Sequence, residues 1–527
     1  MNTAIRTEDG NASPVSAREE RLVILGSSLG TVFEWYDFYL YGSLAVFFGA
    51  LFFPKGDAAA ALLASLATFG AGFAVRPLGA LVFGRLGDLL GRKQTFLVTI
   101  VLMGASTALV GVLPTYEQVG VLAPVLLVSL RLVQGLAMGG EYGGAAIYVA
   151  EHAPRSRRGA RTSWIQTTGT IGFLLSLGLI LACRTTLGEE AFRSWGWRVP
   201  FLVSLLLLAV SVYIRLKLSE SPVFLRMKAE QALSKAPVKE SFTNPRNIRI
   251  ILVALFGAIA GQAVVWYTGQ FYALFFLQSV LKVDFATATF LVSVALVIGT
   301  PLFLVAGYLS DIIGRKPIML AGCLLGVLTF LPVYKGLMHY ANPALEQAVT
   351  TAPVVLHIPD GCGKPCDLIR SDLAARGVPY DTVASGDAGV FAVAVGATLL
   401  KEPDVKVLVA SVKEAGYPAA ADPSRINQPM VVALLTLLMS YVAMVYGPMA
   451  AFLVELFPAR IRYTSLSLPY HVGNGCFGGF LPLVSSWLVL TTGNILAGLY
   501  YPIGVAALTF VIGLLFVKET RNADITQ

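Results

Sequence analysis

A helix needs about twenty consecutive apolar residues to cross the ~30 Å hydrocarbon core of a bilayer at 1.5 Å per residue. Runs of that kind recur twelve times along this 527-residue chain. They fall near 22–50, 60–83, 94–113, 120–150, 162–183 and 199–216. After a polar stretch they resume near 250–279, 286–309, 317–338, 429–454, 463–489 and 496–517. Only 13% of the residues are charged, against roughly 25% in soluble domains, so lipid rather than water must face much of the surface. The pattern predicts an all-α membrane protein of two six-helix bundles, 22–216 and 249–517. A tail (1–21), a central loop (217–248), an insertion (339–428) and a second tail (518–527) complete the chain. The first twenty residues are polar and lack a cleavable leader pattern, which predicts an uncleaved chain.

The formal net charge of +8 does not point to nucleic acid, because the basic residues sit in short clusters between apolar runs. Loops after spans 2, 4, 8 and 10 hold eleven of them, among them Arg85, Lys93, Arg155, Arg157, Lys316 and Arg460. Loops on the other side hold five: Lys55, Arg184, Arg193, Arg198 and Lys282. Basic loops stay inside. Both termini and the central loop are therefore predicted to be cytoplasmic, and the insertion extracytoplasmic.

Two matched pairs of motifs make the halves a repeat. Gly84-Arg85-Leu86-Gly87-Asp88-Leu89-Leu90-Gly91-Arg92-Lys93 returns as Gly307-Tyr308-Leu309-Ser310-Asp311-Ile312-Ile313-Gly314-Arg315-Lys316, offset by 223 residues. Glu151, Pro154 and Arg158 return as Glu455, Pro458 and Arg462 with the same internal spacing, offset by 304. The difference of 81 locates the insertion independently of hydropathy. The plain reading is a basic loop that sets topology. Glycine also lets the backbone turn closely, and the Asp can cap a helix or hold the following Arg. Gly84, Asp88, Gly91, Arg92, Gly307, Asp311, Gly314, Arg315, Glu151, Arg158, Glu455 and Arg462 are therefore candidate gating residues.

The loops at Asp88 and Asp311 resemble the signature loop of the major facilitator superfamily. Arg131-Leu132-Val133-Gln134-Gly135, with Gly139-Gly140-Glu141, resembles its fourth-helix motif. Glu34-Trp35-Tyr36-Asp37-Phe38, Arg76-Pro77, Gly196-Trp197-Arg198-Val199-Pro200-Phe201, Glu455-Leu456-Phe457-Pro458-Ala459-Arg460 and Ser467-Leu468-Pro469-Tyr470-His471 resemble its metabolite–proton symporter branch. That branch includes carriers of shikimate, dicarboxylates, citrate and osmolytes such as proline and betaine. The resemblance covers both halves but not 339–428, and none of its motifs specifies a substrate. It implies a monomeric carrier whose spans 1, 4, 7 and 10 line a central cavity.

A charge inside a bilayer is costly and usually marks function. Glu34 and Asp37 share one face of span 1, with Tyr41 continuing it. Arg131 of span 4 lies at similar depth, so an ion pair with either carboxylate is one expectation and proton coupling through them another. Arg76 precedes Pro77, which should disturb its helix. By the resemblance it is the first candidate to grip an anionic substrate group bidentately, with snorkelling to the interface as the plain alternative. Gln262, Tyr267 and Gln270 in span 7 read as a polar pocket wall. His471 and Asn474 are i, i+3 neighbours in span 11: His471 suits a proton relay or a helix–helix hydrogen bond, and Asn474 joins the substrate candidates.

The insertion reads as a small soluble α/β unit, with strands at 354–358, 389–400 and 405–412 and a helix at 366–376. Cys362 and Cys366 are expected to form a disulfide; a metal or redox pair is the weaker alternative. Cys183, Cys323 and Cys476 read as packing residues.

The whole reading is proton-driven import of a small hydrophilic metabolite, an organic acid or zwitterion, by alternating access in a bacterial inner membrane. Its partners are lipid, protons and the substrate. The rivals are an exporter on the same fold and a sensor that uses the insertion as ligand-binding domain. No nucleophile–base set, phosphate loop or metal cluster is spaced for chemistry, so neither enzyme activity nor a cofactor is expected.

Overall fold

The computed structural model describes residues 28, 31–33, 35–54, 58–90, 92–140, 142–217, 237–359, 362–385, 390–459 and 461–525. Glu34, Gly91, Glu141 and Arg460 lie outside the described residues, as do the side chains of Asp88 and Arg92.

The chain makes twelve crossings. Span 1 covers 31–52 in its described part; then come Ala60–Leu86, Arg92–Val110, Leu122–Glu151, Arg155–Leu187 and Arg198–Lys217. Spans 7 to 12 are Pro245–Val280, Phe285–Ile313, Arg315–Ala341, Gln428–Leu456, Arg462–Thr492 and Ala497–Phe516. Several helices outrun their apolar runs because polar end turns stay hydrogen-bonded beyond the lipid. Leu206, Val297, Leu328 and Leu515 are more than half exposed on the outside of the bundle, where acyl chains take the place of a protein core.

The halves meet where span 5 packs along span 8 and span 2 along span 11. Small residues permit the first contact: a Cβ on Gly159 would lie 2.6 Å from the Gly307 carbonyl oxygen. Gly307 therefore sits inside a helix, not in the tight loop expected for it. Among the described motif glycines, Gly314 has the turn role, at φ +118° between spans 8 and 9. Span 2 breaks at Val75, and its second piece, Arg76–Leu90, starts with Arg76-Pro77. Pro77 has no N–H and crowds the carbonyl four residues back, which puts Arg76 at the break.

Span 2 crosses span 4 backbone against backbone. A Cβ on Gly135 would collide with the Gly72 carbonyl, and one on Gly139 with that of Arg76. Close small-residue crossings of this kind join helices in lipid, where hydrophobic burial offers no drive.

The insertion is a four-stranded sheet with order β2-β1-β3-β4, built from Val354–Ile358 (β1), Tyr380–Ala384 (β2), Ala392–Val395 (β3) and Thr398–Lys401 (β4). β1 and β2 are parallel, joined through the helix Lys364–Ala375. β3 and β4 form a hairpin whose two-residue turn starts at Gly396, φ +57°, a conformation glycine adopts without strain. Cys362 and Cys366 are bonded to each other. The strand expected at 405–412 is a helix, Val405–Glu414. Asp404 caps it by accepting from the Val407 N–H at 2.8 Å, and Leu408 and Val412, one turn apart, are its buried residues. The run Val405–Val409 reads as strand in the sequence because its helical spacing spans only two turns.

Gly135→Val should force spans 2 and 4 apart and cost roughly 2 kcal/mol or more, lowering the thermal unfolding midpoint in detergent. Gly178→Val is the control, since a Cβ added at Gly178 would have nothing within 4 Å. Equal midpoints for the two variants would remove this account of the crossing.

Candidate functional site

The tight crossing of spans 2 and 4 carries two fully buried arginines, Arg76 and Arg131, into the bundle. Both guanidinium groups lie against one ring: their Cζ atoms are 4.6 Å and 4.3 Å from the centroid of Phe38 in span 1. Arg76 also rests on Phe73 at 3.8 Å and donates to the Met138 Sδ at 3.0 Å. Arg131 rests on Tyr41 at 4.6 Å. Aromatic faces replace water for both cations, an attraction that gains strength out of solvent.

Arg131 is held by its own helix. Its Nη1 donates to Gln134 Oε1 at 2.7 Å, and Gln134 Nε2 donates to Thr107 of span 3 at 2.7 Å. Its Nε and Nη2 have no hydrogen-bond partner. The ion pair expected between Asp37 and Arg131 is not formed among the described residues: Asp37 is buried, and span 1 turns Phe38 and Tyr41 toward Arg131 instead. Glu34 lies outside the described residues. Tyr41 donates to the Ser65 carbonyl at 3.0 Å.

The second half supplies polar groups to the same region. Gln262 and Asn474 face each other, their amides 3.3 and 3.4 Å apart, and Gln270 Nε2 donates to Thr170 of span 5 at 3.2 Å. Tyr267 packs edge-on to Phe73. Span 7 makes π turns at Leu255–Ile259, Thr268–Tyr272 and Phe276–Val280, and span 11 one at Gly473–Gly479. Such turns shift the side chains that follow around the helix axis and are frequent at functional sites. His471 is 2% exposed, and neither ring nitrogen has a hydrogen-bond partner among the described residues. The sequence reading gave no site role to Tyr142, Tyr446 or Tyr470. Tyr142 stacks on Tyr470 with centroids 3.7 Å apart, and Tyr470 shares a 2.8 Å hydroxyl contact with Tyr446.

At the face with the repeated motifs, the carboxylate of each half meets the arginine of the other. Arg158 lies 2.9 Å from Glu455, and Arg462 lies 3.2 Å from Glu151. Arg315 joins the first pair, 3.1 Å from Glu455 and 2.6 Å from Asp311. Asp311 reaches across the interface to accept from the backbone N–H groups of Gly159 and Ala160 at 2.9 and 2.8 Å, where a carboxylate meets the positive end of span 5. The tail contributes as well: Glu519 accepts from the N–H groups of Arg315 and Lys316, and Thr520 donates to Glu455. No sequence periodicity announces these tail contacts. Gly84 faces Tyr463 of span 11.

A family model described as sugar (and other) transporter matches residues 23–249. The chain is 32% identical to the inner membrane metabolite transport protein YhjE of Escherichia coli (strain K12), over 97% of each chain. It is 30% identical to the proline/betaine transporter of the same organism, over 95% of this chain and 84% of that one. It is 37% identical to that organism's shikimate transporter, over 64% of this chain and 77% of that one. Among solved structures, the partially occluded inward-open xylose transporter XylE from E. coli superposes with a TM-score of 0.64 at 16% identity, covering 96% of this chain and all of that one.

Glu455→Gln removes the shared acceptor of Arg158 and Arg315 and should loosen the motif face. In a Cys476→Ser background, a Thr162→Cys probe at that interface should then label with a membrane-impermeant maleimide about tenfold faster, a ~1.4 kcal/mol shift in population. Unchanged labelling would mean that these pairs do not hold the face closed.

Proposed function

The chain belongs to the major facilitator superfamily of membrane transporters, and from that premise we propose that it imports a small organic acid or zwitterion by proton symport. The carrying observation is the set of crossed ion pairs that joins the two halves at the motif face. Alternating access needs contacts that form in one state and break in the other. Buried ion pairs suit this, because their mutual attraction is largely offset by what desolvation costs.

In this reading the motif face, with both termini, is cytoplasmic and the insertion faces outward. The latched motif face then belongs to a carrier that is closed toward the cytoplasm. The substrate carboxylate is taken by Arg131, whose Nε and Nη2 lack hydrogen-bond partners among the described residues, with Arg76 against the same Phe38 ring. Tyr41, Gln262, Tyr267, Gln270 and Asn474 contribute polar contacts around it. The proline/betaine and shikimate relatives are named for carboxylate-bearing solutes, which supports that substrate class. The proton is carried by Asp37, with Glu34 on the same face of span 1. His471 has no hydrogen-bond partner among the described residues and takes no part in the proton path. Each chain works as a monomer.

The test is uptake by purified protein in liposomes, with shikimate, proline and glycine betaine offered separately. Accumulation of at least one should require an inward proton gradient, and Arg131→Gln should reduce it at least about tenfold, the loss of a charged hydrogen-bond partner. Asp37→Asn should abolish gradient-driven accumulation yet preserve exchange of labelled for unlabelled substrate. Accumulation that ignores the gradient would remove symport, and full uptake by Arg131→Gln would remove the assigned carboxylate site.

A further inference from the structure

Between the central arginines and the motif face, spans 4 and 11 lie against each other across the line where the halves meet. At the motif end of that line Glu151 pairs with Arg462. Farther in, the Tyr463 hydroxyl donates to the Gly140 carbonyl, and a Cβ on Gly143 would run into Ser467 Oγ. Beside these contacts Tyr142 stacks on Tyr470, with centroids 3.7 Å apart and ring planes 3° from parallel. The stack lies eight to nine residues in from Arg462 and Glu151, ~12–14 Å along either helix. On its other side, four residues on, Met138 accepts from Arg76 and Asn474 faces Gln262. The stack thus occupies the layer between the central site and the ion pairs.

Each ring of the stack is fixed within its own half. Gln166 Nε2 of span 5 donates to the Tyr142 hydroxyl at 2.8 Å, and the Tyr446 hydroxyl of span 10 lies 2.8 Å from that of Tyr470. Tyr446 in turn packs edge-on against Trp266 of span 7 and Phe303 of span 8. All three tyrosines are at most 5% exposed. At the stack, therefore, ring faces cross from half to half while the hydroxyls bond sideways within each half. Parting the rings breaks neither of these hydrogen bonds, and a buried hydroxyl that lost its partner would be costly. Rings also favour offset or edge-on contact over full overlap, so the two plates close the space yet separate at modest cost. The ion pairs are polar and leave water a foothold, whereas an apolar constriction excludes it.

We propose that the Tyr142–Tyr470 stack is a second gate, distinct from the ion pairs, that seals the central site from the motif face. This rests on the alternating-access reading above and assigns it two layers with different tasks. The ion pairs hold the halves together, and the stacked rings keep water and protons from passing between the central site and the motif face. Tyr142 and Tyr470 act on access and not on substrate binding. When the halves part, Tyr142 leaves with Gln166 and Tyr470 with Tyr446, so each ring keeps its orientation and the plates can meet again on closure.

The measurement is the rate at which a maleimide labels Met138→Cys, in the full-length detergent-purified chain with Cys476→Ser. Met138 is 3% exposed on the central side of the stack, so a thiol there reacts when the halves part. Tyr142→Leu and Tyr470→Leu keep apolar bulk but lose the flat face. Each should speed labelling about fivefold, the contribution of an aromatic pair. The double variant should be no faster than either single one, because both remove the same contact. Tyr142→Phe and Tyr470→Phe keep the plate and should stay within about twofold of the parent. Tyr142→Met or Tyr470→Met replaces a leucine substitution that does not fold. Ala61→Cys, 9% exposed at the cavity on the insertion side, should not label faster, since that side stays closed. Unchanged Met138→Cys labelling in the single leucine variants overturns the gate. So does a double variant that multiplies the two effects, phenylalanine variants as fast as the leucine ones, or Ala61→Cys speeding up equally. Labelling needs neither substrate nor proton gradient, so a failed symport reading and a failed gate are told apart.

Discussion

Everything at the motif face depends on an exchange of partners: Glu151 holds Arg462 and Glu455 holds Arg158, each across the interface between halves. Had each carboxylate paired with the arginine seven residues on in its own half, the bundles would gain nothing by approaching. Crossed pairing makes their approach the condition for neutralising the buried charge. Arg315 and Asp311 extend the arrangement, because Asp311 neutralises Arg315 and caps span 5 of the other half at once. Such contacts need the backbones close, and Gly159 and Gly307 remove the side chains that would keep them apart.

The same economy of side chains works at the middle of the first half. Spans 2 and 4 touch through Gly72, Gly135 and Gly139, and this brings Arg76 and Arg131 to a single phenylalanine. Two like charges so near would repel strongly in a medium of low dielectric constant. The rings of Phe38, Phe73 and Tyr41 offset part of that cost. The first half thus brings two arginines to this region, and the second brings the neutral amides of Gln262, Gln270 and Asn474. A zwitterion or organic acid between them would meet different chemistry on its two sides.

The insertion covers the cavity between the halves at the face away from the motif loops, through Ala374 and Ala375. It is tied chiefly to the second half, through Lys282, Gly493 and Leu490, while its helix Lys364–Ala375 lies against span 2 of the first. Any separation of the halves on that side has to slide or lift this helix.

Much of this was legible in the chain. Lipid demands about twenty apolar residues per crossing, so hydropathy alone located twelve spans, and the two motif offsets located the insertion. Local rules failed where a feature depended on its neighbours. Residues 405–412 are too short a run for helix and strand periods to separate, and the cap at Asp404 decided the outcome. The Gly307 position looked like a turn, but it answers to Gly159 in another helix. Asp37 looked like a partner for Arg131 by depth, yet Phe38 and Tyr41 of the same span are the groups that lie against it. By itself the sequence determined the class, the number of crossings, the repeat and the chemical types of the site residues, because those follow from composition and spacing. Only the tertiary structure decided who meets whom: Glu455 with Arg158 and not Arg462, Phe38 against both arginines, Lys282 against the insertion. Pairings between residues far apart in the chain depend on helix rotation and close approach, and no local pattern encodes these.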